Sequence, residues 1–138
     1  MTDPVRPNST AASLTLVAMR SWRIARDNRQ PVQPALFAIL NEYRAGVLAP
    51  TFDSLLRCYE ACTGRLMRIG SFDAPRLSAD EQRLLDLLES PDRPLSVDER
   101  RTKPGLVPSM RVALQSTRLM IRNALTDRDT AYGMFHPA

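Results

Sequence analysis

The side chains that most often carry enzyme chemistry are few and scattered in this chain of 138 residues. The single histidine, His136, stands beside a proline near the C-terminus and is a poor general base for a nucleophilic triad. The five glycines are spread along the chain and form no phosphate-binding loop. The sequence therefore predicts no catalytic residue, no cofactor and no metal ion, and it predicts that the protein is not an enzyme.

Two pairs of residues on one predicted helix are the remaining candidates for a reactive site: Cys58 with Cys62, and Asp53 with Glu60. Cys58 and Cys62 are four residues apart, which places both thiols on one helical face but prevents a disulfide unless the turn unwinds. They also lack the two further ligands that structural zinc requires. We expect two small buried thiols in a reducing cytoplasm. On the same helix, we expect Asp53 to interact with the helix dipole and Glu60 to be solvated.

The chain is basic, with a net charge of +4, and eighteen of its nineteen basic residues are arginine. Four polar side chains lie on one line of the last predicted helix at spacings of four, three and four residues: Arg111, Gln115, Arg118 and Arg122. Together with Arg20 and Arg23 of the first predicted helix, they form a candidate surface for a partner or for phosphates. In a proline-rich stretch, Arg100, Arg101 and Lys103 are candidate loop contacts.

Two interpretations of the arginine line stay open. As a functional feature, it is a basic strip that binds phosphates or an acidic partner helix. As a structural feature, it is the only solvent-facing strip of a central helix, made soluble by the charged residue that a GC-rich genome favours. The basic residues are diluted along the chain and are not gathered in a tail, so they support only a modest surface field.

Helical periodicity predicts an all-α fold, a compact bundle of four to five helices without a sheet. A first helix runs from residues 8–10 to about 28, with Arg20 and Arg23 on its outer side. A second helix covers about 34–45, and a third follows Pro50 and is capped by Gly64. The inner faces of the first and third helices are predicted to be Leu14, Ala18, Trp22 and Ala25, and Phe52, Leu55, Leu56, Tyr59 and Cys62.

The second half of the chain is predicted to add two helices after a short extended piece at 65–70. A capping box, SADE at 78–81, begins the fourth helix, whose leucines at 84, 85, 87 and 88 are too closely spaced for an exposed helix. The last helix covers about 106–125 and is apolar or small outside its arginine line, so we expect it to be central and wrapped by the others. This surplus of apolar surface also makes a homodimer a candidate assembly.

One domain accounts for the length of the chain. Residues 1–8 are predicted to be a flexible N-terminal tail, 9–126 a single helical domain with a mobile loop at 90–104, and 127–138 a C-terminal tail. The first residues do not form a signal peptide, and no apolar run approaches the roughly 18 residues of a membrane span. We therefore expect a cytoplasmic protein that does not contact a membrane.

Part of the chain resembles the end of a phage-repressor-type helix-turn-helix. ILNEYRAG at 39–46 is similar to a recognition helix that ends at glycine, and APTFDSLLR at 49–57 is similar to the helix that closes that domain. The resemblance implies that residues 33–37 read DNA bases. The chain departs from the family pattern at Pro31, inside the first motif helix, and at Arg29, where a buried leucine belongs. Residues 33–37 are also mostly apolar, although base readout needs donors and acceptors.

The chain as a whole resembles an uncharacterised family of short alphaproteobacterial helical proteins. The resemblance rests on three stretches: LAPTFDSL at 48–55 with YEA at 59–61, LSADE at 77–81, and STRLM at 116–120. It implies a free-standing bacterial cytoplasmic domain, and it supplies no ligand or catalytic residue.

Together these observations predict a non-catalytic helical protein that acts through protein–protein interaction, in a role that includes regulation. The alternative is a DNA-binding transcriptional regulator that uses the arginine-rich helix face. A third possibility is a carrier of a small apolar ligand, in a cavity lined by Trp22, Tyr43 and Tyr59.

Overall fold

A computed structural model describes residues 10–91 and 106–135 of the protein, with side chains up to residue 126. The first three helices are α1 (Thr10–Asp27), α2 (Val32–Asn41) and α3 (Ala49–Thr63), and a 3-10 turn at Gly46–Leu48 leads into α3. The bounds of α1 lie close to those predicted. Gly64 ends α3 in the left-handed conformation (φ 69°), which a residue without Cβ adopts without strain, so the predicted C-cap is confirmed.

The remaining helices are α4 (Ala79–Glu89) and α5 (Leu106–Phe135). The capping box that begins α4 is confirmed: the Glu81 N–H donates to Ser78 Oγ at 3.1 Å, and the Ser78 N–H donates to Glu81 Oε1 at 2.7 Å. No strand occurs in the described residues, and the predicted all-α fold of four to five helices is confirmed. None of the described helices combines the length and the apolar character that crossing a bilayer requires.

The core lies between α1 and α3. α1 contacts each of the other four α-helices, and α3 packs against α1, α2 and α5. The predicted inner faces of both helices are buried, with Trp22 and Phe52 fully enclosed. On α4, Leu84, Leu87 and Leu88 are buried as well. These helices meet along apolar stripes that are visible in the sequence.

The segment before α3 differs from the prediction. α2 ends at Asn41 instead of residue 45, because the chain turns at 42–45, where Arg44 adopts φ 58°. Tyr43 lies in this turn and is 42% exposed instead of facing the core. Residues 65–70, where the sequence predicts a short extended piece, contain neither helix nor strand and belong to the connection between α3 and α4.

The position of α5 is the largest correction to the predicted fold. Its inner face consists of Met110, Leu114, Thr117 and Ile121, and α5 lies on the surface of the bundle instead of at its centre. It runs antiparallel to α3: Thr51 Oγ1 at the start of α3 donates to Met120 Sδ at 3.2 Å, and Cys62 Sγ near its end donates to the Leu106 carbonyl at 3.4 Å. Apolar composition does not show which face another helix covers, and α1 takes the central place.

The end of α5 also differs from the prediction. The helix continues to Phe135, ten residues beyond the predicted end at 125, so the backbone of 127–135 is helical where a C-terminal tail was expected. The predicted tail at 1–8 lies outside the described residues, as does the predicted loop at 90–104 apart from its first two residues.

Arg20 was expected on the outer side of α1, and this prediction is wrong. Its side chain is 6% exposed, and its Nε donates to Glu81 Oε2 at 2.9 Å, while Glu81 itself is fully buried. The other guanidinium nitrogens donate to backbone carbonyls in the connection before α4: those of Phe72, Ala74 and Arg76. Arg20 is buried because the connection 64–78 folds over this side of α1.

Arg23 and Glu60, which were expected on the outer side of α1 and in solvent, instead form a half-buried ion pair. The side chain of Glu60 is 12% exposed instead of solvated and accepts hydrogen bonds from Arg23 at 3.2 Å and Arg26 at 2.6 Å. Arg23 also donates to the Met67 carbonyl at 2.6 Å. The guanidinium of Arg26 lies 4.3 Å from the centroid of the Trp22 ring. These contacts tie α1 to the C-terminal half of α3.

Asp53 joins the first three helices and does not merely interact with the dipole of α3. Its carboxylate accepts hydrogen bonds from Trp22 Nε1 at 2.9 Å, Arg57 Nε at 2.8 Å and Gln33 Nε2 at 3.1 Å. Burial alone would raise the pKa of Asp53, but these hydrogen bonds outweigh it and lower the pKa. The buried indole N–H thereby obtains the acceptor that it needs.

A second buried carboxylate, Asp80, fixes the start of α4. It accepts hydrogen bonds from Tyr59 at 2.9 Å, from two nitrogens of Arg65 at 2.6 and 2.7 Å, and from the Arg68 N–H at 2.7 Å. Burial works against ionisation, but these donors outweigh it and lower the pKa of Asp80 to about 2. Burial and the carboxylate raise the pKa of Tyr59 to about 12.

We expect Arg20→Ala to lower the free energy of unfolding by about 3–5 kcal/mol, because it leaves the Glu81 carboxylate buried and unpaired. The matched control is Arg68→Ala, since the Arg68 side chain is exposed; we expect a change of at most about 0.5 kcal/mol. Urea denaturation followed by circular dichroism measures both. Equal effects of the two substitutions would contradict the role assigned to Arg20.

The shifted pKa values of Asp80 and Tyr59 predict where pH weakens the fold. The pKa of Asp80 is depressed when folded, so its contribution of about 2 kcal/mol is present above pH 4 and is lost as the pH falls towards 2. The pKa of Tyr59 is raised when folded, so its contribution is present below pH 10 and is lost as the pH rises towards 12.

Urea denaturation at a series of pH values checks both directions. The difference in unfolding free energy between the native protein and Asp80→Asn should shrink between about pH 4 and 2. The difference between the native protein and Tyr59→Phe should shrink between about pH 10 and 12. Differences that stay constant over these ranges would show that neither group titrates as assigned.

Candidate functional site

The outward side of α5 carries two large apolar side chains that no described residue covers. Val112 is 61% exposed and Leu119 is 55% exposed. They are seven residues apart, which is about two turns or 10 Å along the axis, so they lie on one line of the helix. That line is opposite the inner face that begins at Met110. We call this side, from 108 to 123, the outer face of α5.

An arginine flank borders the outer face on one side. Its four members are all exposed: Arg111, Gln115, Arg118 and Arg122. None of the three arginines forms an ion pair with a residue that the structure describes, and no aspartate or glutamate occurs at 106–126. The line predicted from the sequence is therefore present as one exposed strip whose charges are all positive.

Small polar side chains border the outer face on its other side. Ser109, Ser116 and Asn123 repeat at intervals of seven residues, and all three are exposed. This flank is on the side of α5 that faces α3, as the contact of Thr51 with Met120 shows. The outer face is therefore asymmetric, with long cations along one edge, apolar side chains in the middle and short neutral side chains along the other edge.

The other residues assigned to this surface from the sequence are not part of it. Arg20 and Arg23 are held by Glu81 and Glu60 in the interior, so they are not available to phosphates or to a partner. Arg100, Arg101 and Lys103 lie outside the described residues. Of the candidate surface, only the arginine flank of α5 is brought together.

Val112 and Leu119 were not assigned to the site from the sequence, although they are its most exposed apolar residues. Their spacing of seven was visible, but the prediction of a central α5 placed them in the core. A helix with apolar residues on nearly all sides has more than one candidate inner face, and only contacts with other helices distinguish them.

Cys58 and Cys62 have the features of packed structural cysteines and not those of a reactive or metal-binding pair. Cys58 is partly buried, Cys62 is buried, and no disulfide joins them. Burial raises the pKa of Cys62 to about 11, and Cys58 adds to that rise, so the thiolate that a nucleophile or a metal ligand needs is disfavoured. No group of three potential metal-ligating side chains occurs within the described residues.

A shallow groove of about 300 Å³ lies between α1 and α2. Small side chains line it, such as Ala25, Ala35 and Ala38, together with Phe72. The residues predicted to line an apolar cavity are elsewhere: Trp22 and Tyr59 are enclosed in the core, and Tyr43 is in the exposed turn after α2. Ser21 and Glu42 also line the groove, but the buried Ser21 hydroxyl has no hydrogen-bond partner among the described residues, so no base is positioned to activate it.

Comparisons of the chain with protein-family models, with curated proteins and with solved structures found no match. The fold and the outer face of α5 are therefore the observations from which a function is inferred.

Proposed function

We propose that this protein is a non-catalytic helical domain that acts by binding another protein through the outer face of α5. The observation that carries the proposal is the exposure of Val112 and Leu119 on one line of a surface helix. Large apolar side chains aligned at a spacing of seven are the pattern with which one helix packs against another. Exposed apolar surface bordered by polar residues is typical of protein interaction sites.

A DNA-binding regulator remains the second candidate, because the three arginines of the flank are exposed and have no described acidic neighbour. Two observations favour a protein partner instead. The centre of the face is apolar, which suits a protein surface better than a phosphate backbone. Among residues 33–37, to which the helix-turn-helix resemblance assigns base reading, Gln33 is the candidate donor, and its amide already donates to Asp53 at 3.1 Å.

We expect a photo-reactive residue in place of Leu119 to crosslink to a distinct protein in the cells from which the chain comes. The reason is that this position lies at the centre of the outer face and is left 55% exposed by the residues that the structure describes. The same residue in place of the exposed Gln82 on α4 is the control and should give no comparable adduct. Mass spectrometry of the adduct identifies the partner peptide and separates a partner protein from a second copy of this chain.

Equal labelling from positions 119 and 82, or no adduct from either, would contradict a role for the outer face of α5 in binding a protein.

Binding to a mixed-sequence DNA duplex tests the alternative. Three phosphate contacts would make log K fall with log salt at a slope of about −2.7. Under the proposed function, fluorescence anisotropy should detect no binding at about 50 or 200 mM salt. Binding with that slope, weakened by Arg118→Gln but not by Arg68→Gln, would instead establish the DNA-binding function.

A further inference from the structure

We infer that the partner segment on the outer face of α5 is an amphipathic helix with acidic residues along one edge. This inference rests on the proposed function and specifies the partner's chemistry. It follows from three features of the same face: an aligned apolar pair, a basic flank without carboxylates, and an opposite flank of short side chains.

The apolar pair determines the shape of the partner segment. Val112 and Leu119 project from one line about 10 Å in length, which an α-helix laid along α5 can match with apolar residues at the same spacing. The short side chains of Ser109, Ser116 and Asn123 leave room for such a helix to approach α5 closely on that flank.

The arginine flank determines the charge of the partner. Arg111 and Arg118 are seven residues apart and Arg122 follows after four more, so all three guanidinium groups border the apolar line over three turns. A helix seated on Val112 and Leu119 must place one of its edges against this flank. Glutamate or aspartate on that edge forms ion pairs, whereas lysine or arginine there is repelled.

The same charge disfavours a second copy of this chain as the occupant. Residues 106–126 contain no carboxylate, so two copies joined through this face would bring three arginines from each copy together with no acid from the face itself. The complement of a purely basic flank is an acidic edge on a different chain.

The test uses the full chain and three synthetic helical peptides of about three heptads each. All three carry the same leucines at a spacing of seven, and one edge holds glutamate, glutamine or lysine. Fluorescence anisotropy at about 50 mM salt should show the glutamate peptide binding at least about tenfold more tightly than the glutamine peptide, and the lysine peptide more weakly still.

Variants of the protein assign the preference to the arginine flank. Arg111→Gln, Arg118→Gln and Arg122→Gln should each weaken the glutamate peptide about threefold and leave the glutamine peptide unchanged, since an exposed ion pair contributes modestly. Arg68→Gln, with the same change in charge outside α5, should have no effect. Leu119→Ser should weaken all three peptides, and Arg118→Glu should improve binding of the lysine peptide.

Equal binding of the glutamate and glutamine peptides would overturn this inference, as would a mass in solution of two copies that Leu119→Ser reduces to one. If position 119 still crosslinks to a distinct protein under either result, the proposed function stands and only the acidic edge is wrong. If position 119 gives no adduct and no peptide binds, the proposed function fails as well.

Discussion

A charge buried in a protein must be paired, and in this fold the buried pair of Arg20 and Glu81 connects α1, α4 and the segment between α3 and α4. Glu81 has two roles, since its carboxylate closes the capping box of α4 and holds the guanidinium of Arg20 on α1. Arg20 in turn gathers three carbonyls of the connection before α4. One ion pair therefore joins α4 to α1, in addition to the buried leucines of α4, and α5 packs against both helices.

Two groups of arginines among the described residues differ in a way that composition does not show. Arg20 is held by the buried carboxylate of Glu81, Arg23 and Arg26 are held by the half-buried carboxylate of Glu60, and all three join α1 to the rest of the bundle. Arg111, Arg118 and Arg122 extend from α5 into solvent. An arginine beside a carboxylate in a low-dielectric interior stabilises the fold, while an arginine without such a neighbour is available to a partner. The difference lies in the neighbours that tertiary packing supplies.

α5 packs against the bundle through one face and exposes apolar side chains on the opposite face. The inner face, from Met110 to Ile121, is apolar and faces the bundle, so the helix does not need its outer face for stability. The outer face keeps Val112 and Leu119 in water, where each exposed apolar side chain is unfavourable by an amount that burial under a partner would recover. Because the basic flank borders these residues, one partner segment can satisfy the apolar line and the charges together.

The sequence by itself determined that these helices form and where two of their caps lie, because periodicity, capping boxes and glycine C-caps act within a few residues of the chain. Ser78 with Glu81, Gly64, and the stripe from Leu14 to Ala25 were all recognisable in this way. It also determined the arginine line of α5, since spacing alone places side chains on one face of a helix.

Only the tertiary structure decided which residues those faces meet. Arg20 is three residues from Arg23 on a helix whose inner stripe is clear, yet its burial depends on a connection more than fifty residues away. Val112 and Leu119 are as apolar as Leu114, and only the positions of α1 and α3 leave them uncovered. Long-range contacts assign burial among faces of similar composition, because the free energy of burial depends on the neighbour as well as on the residue.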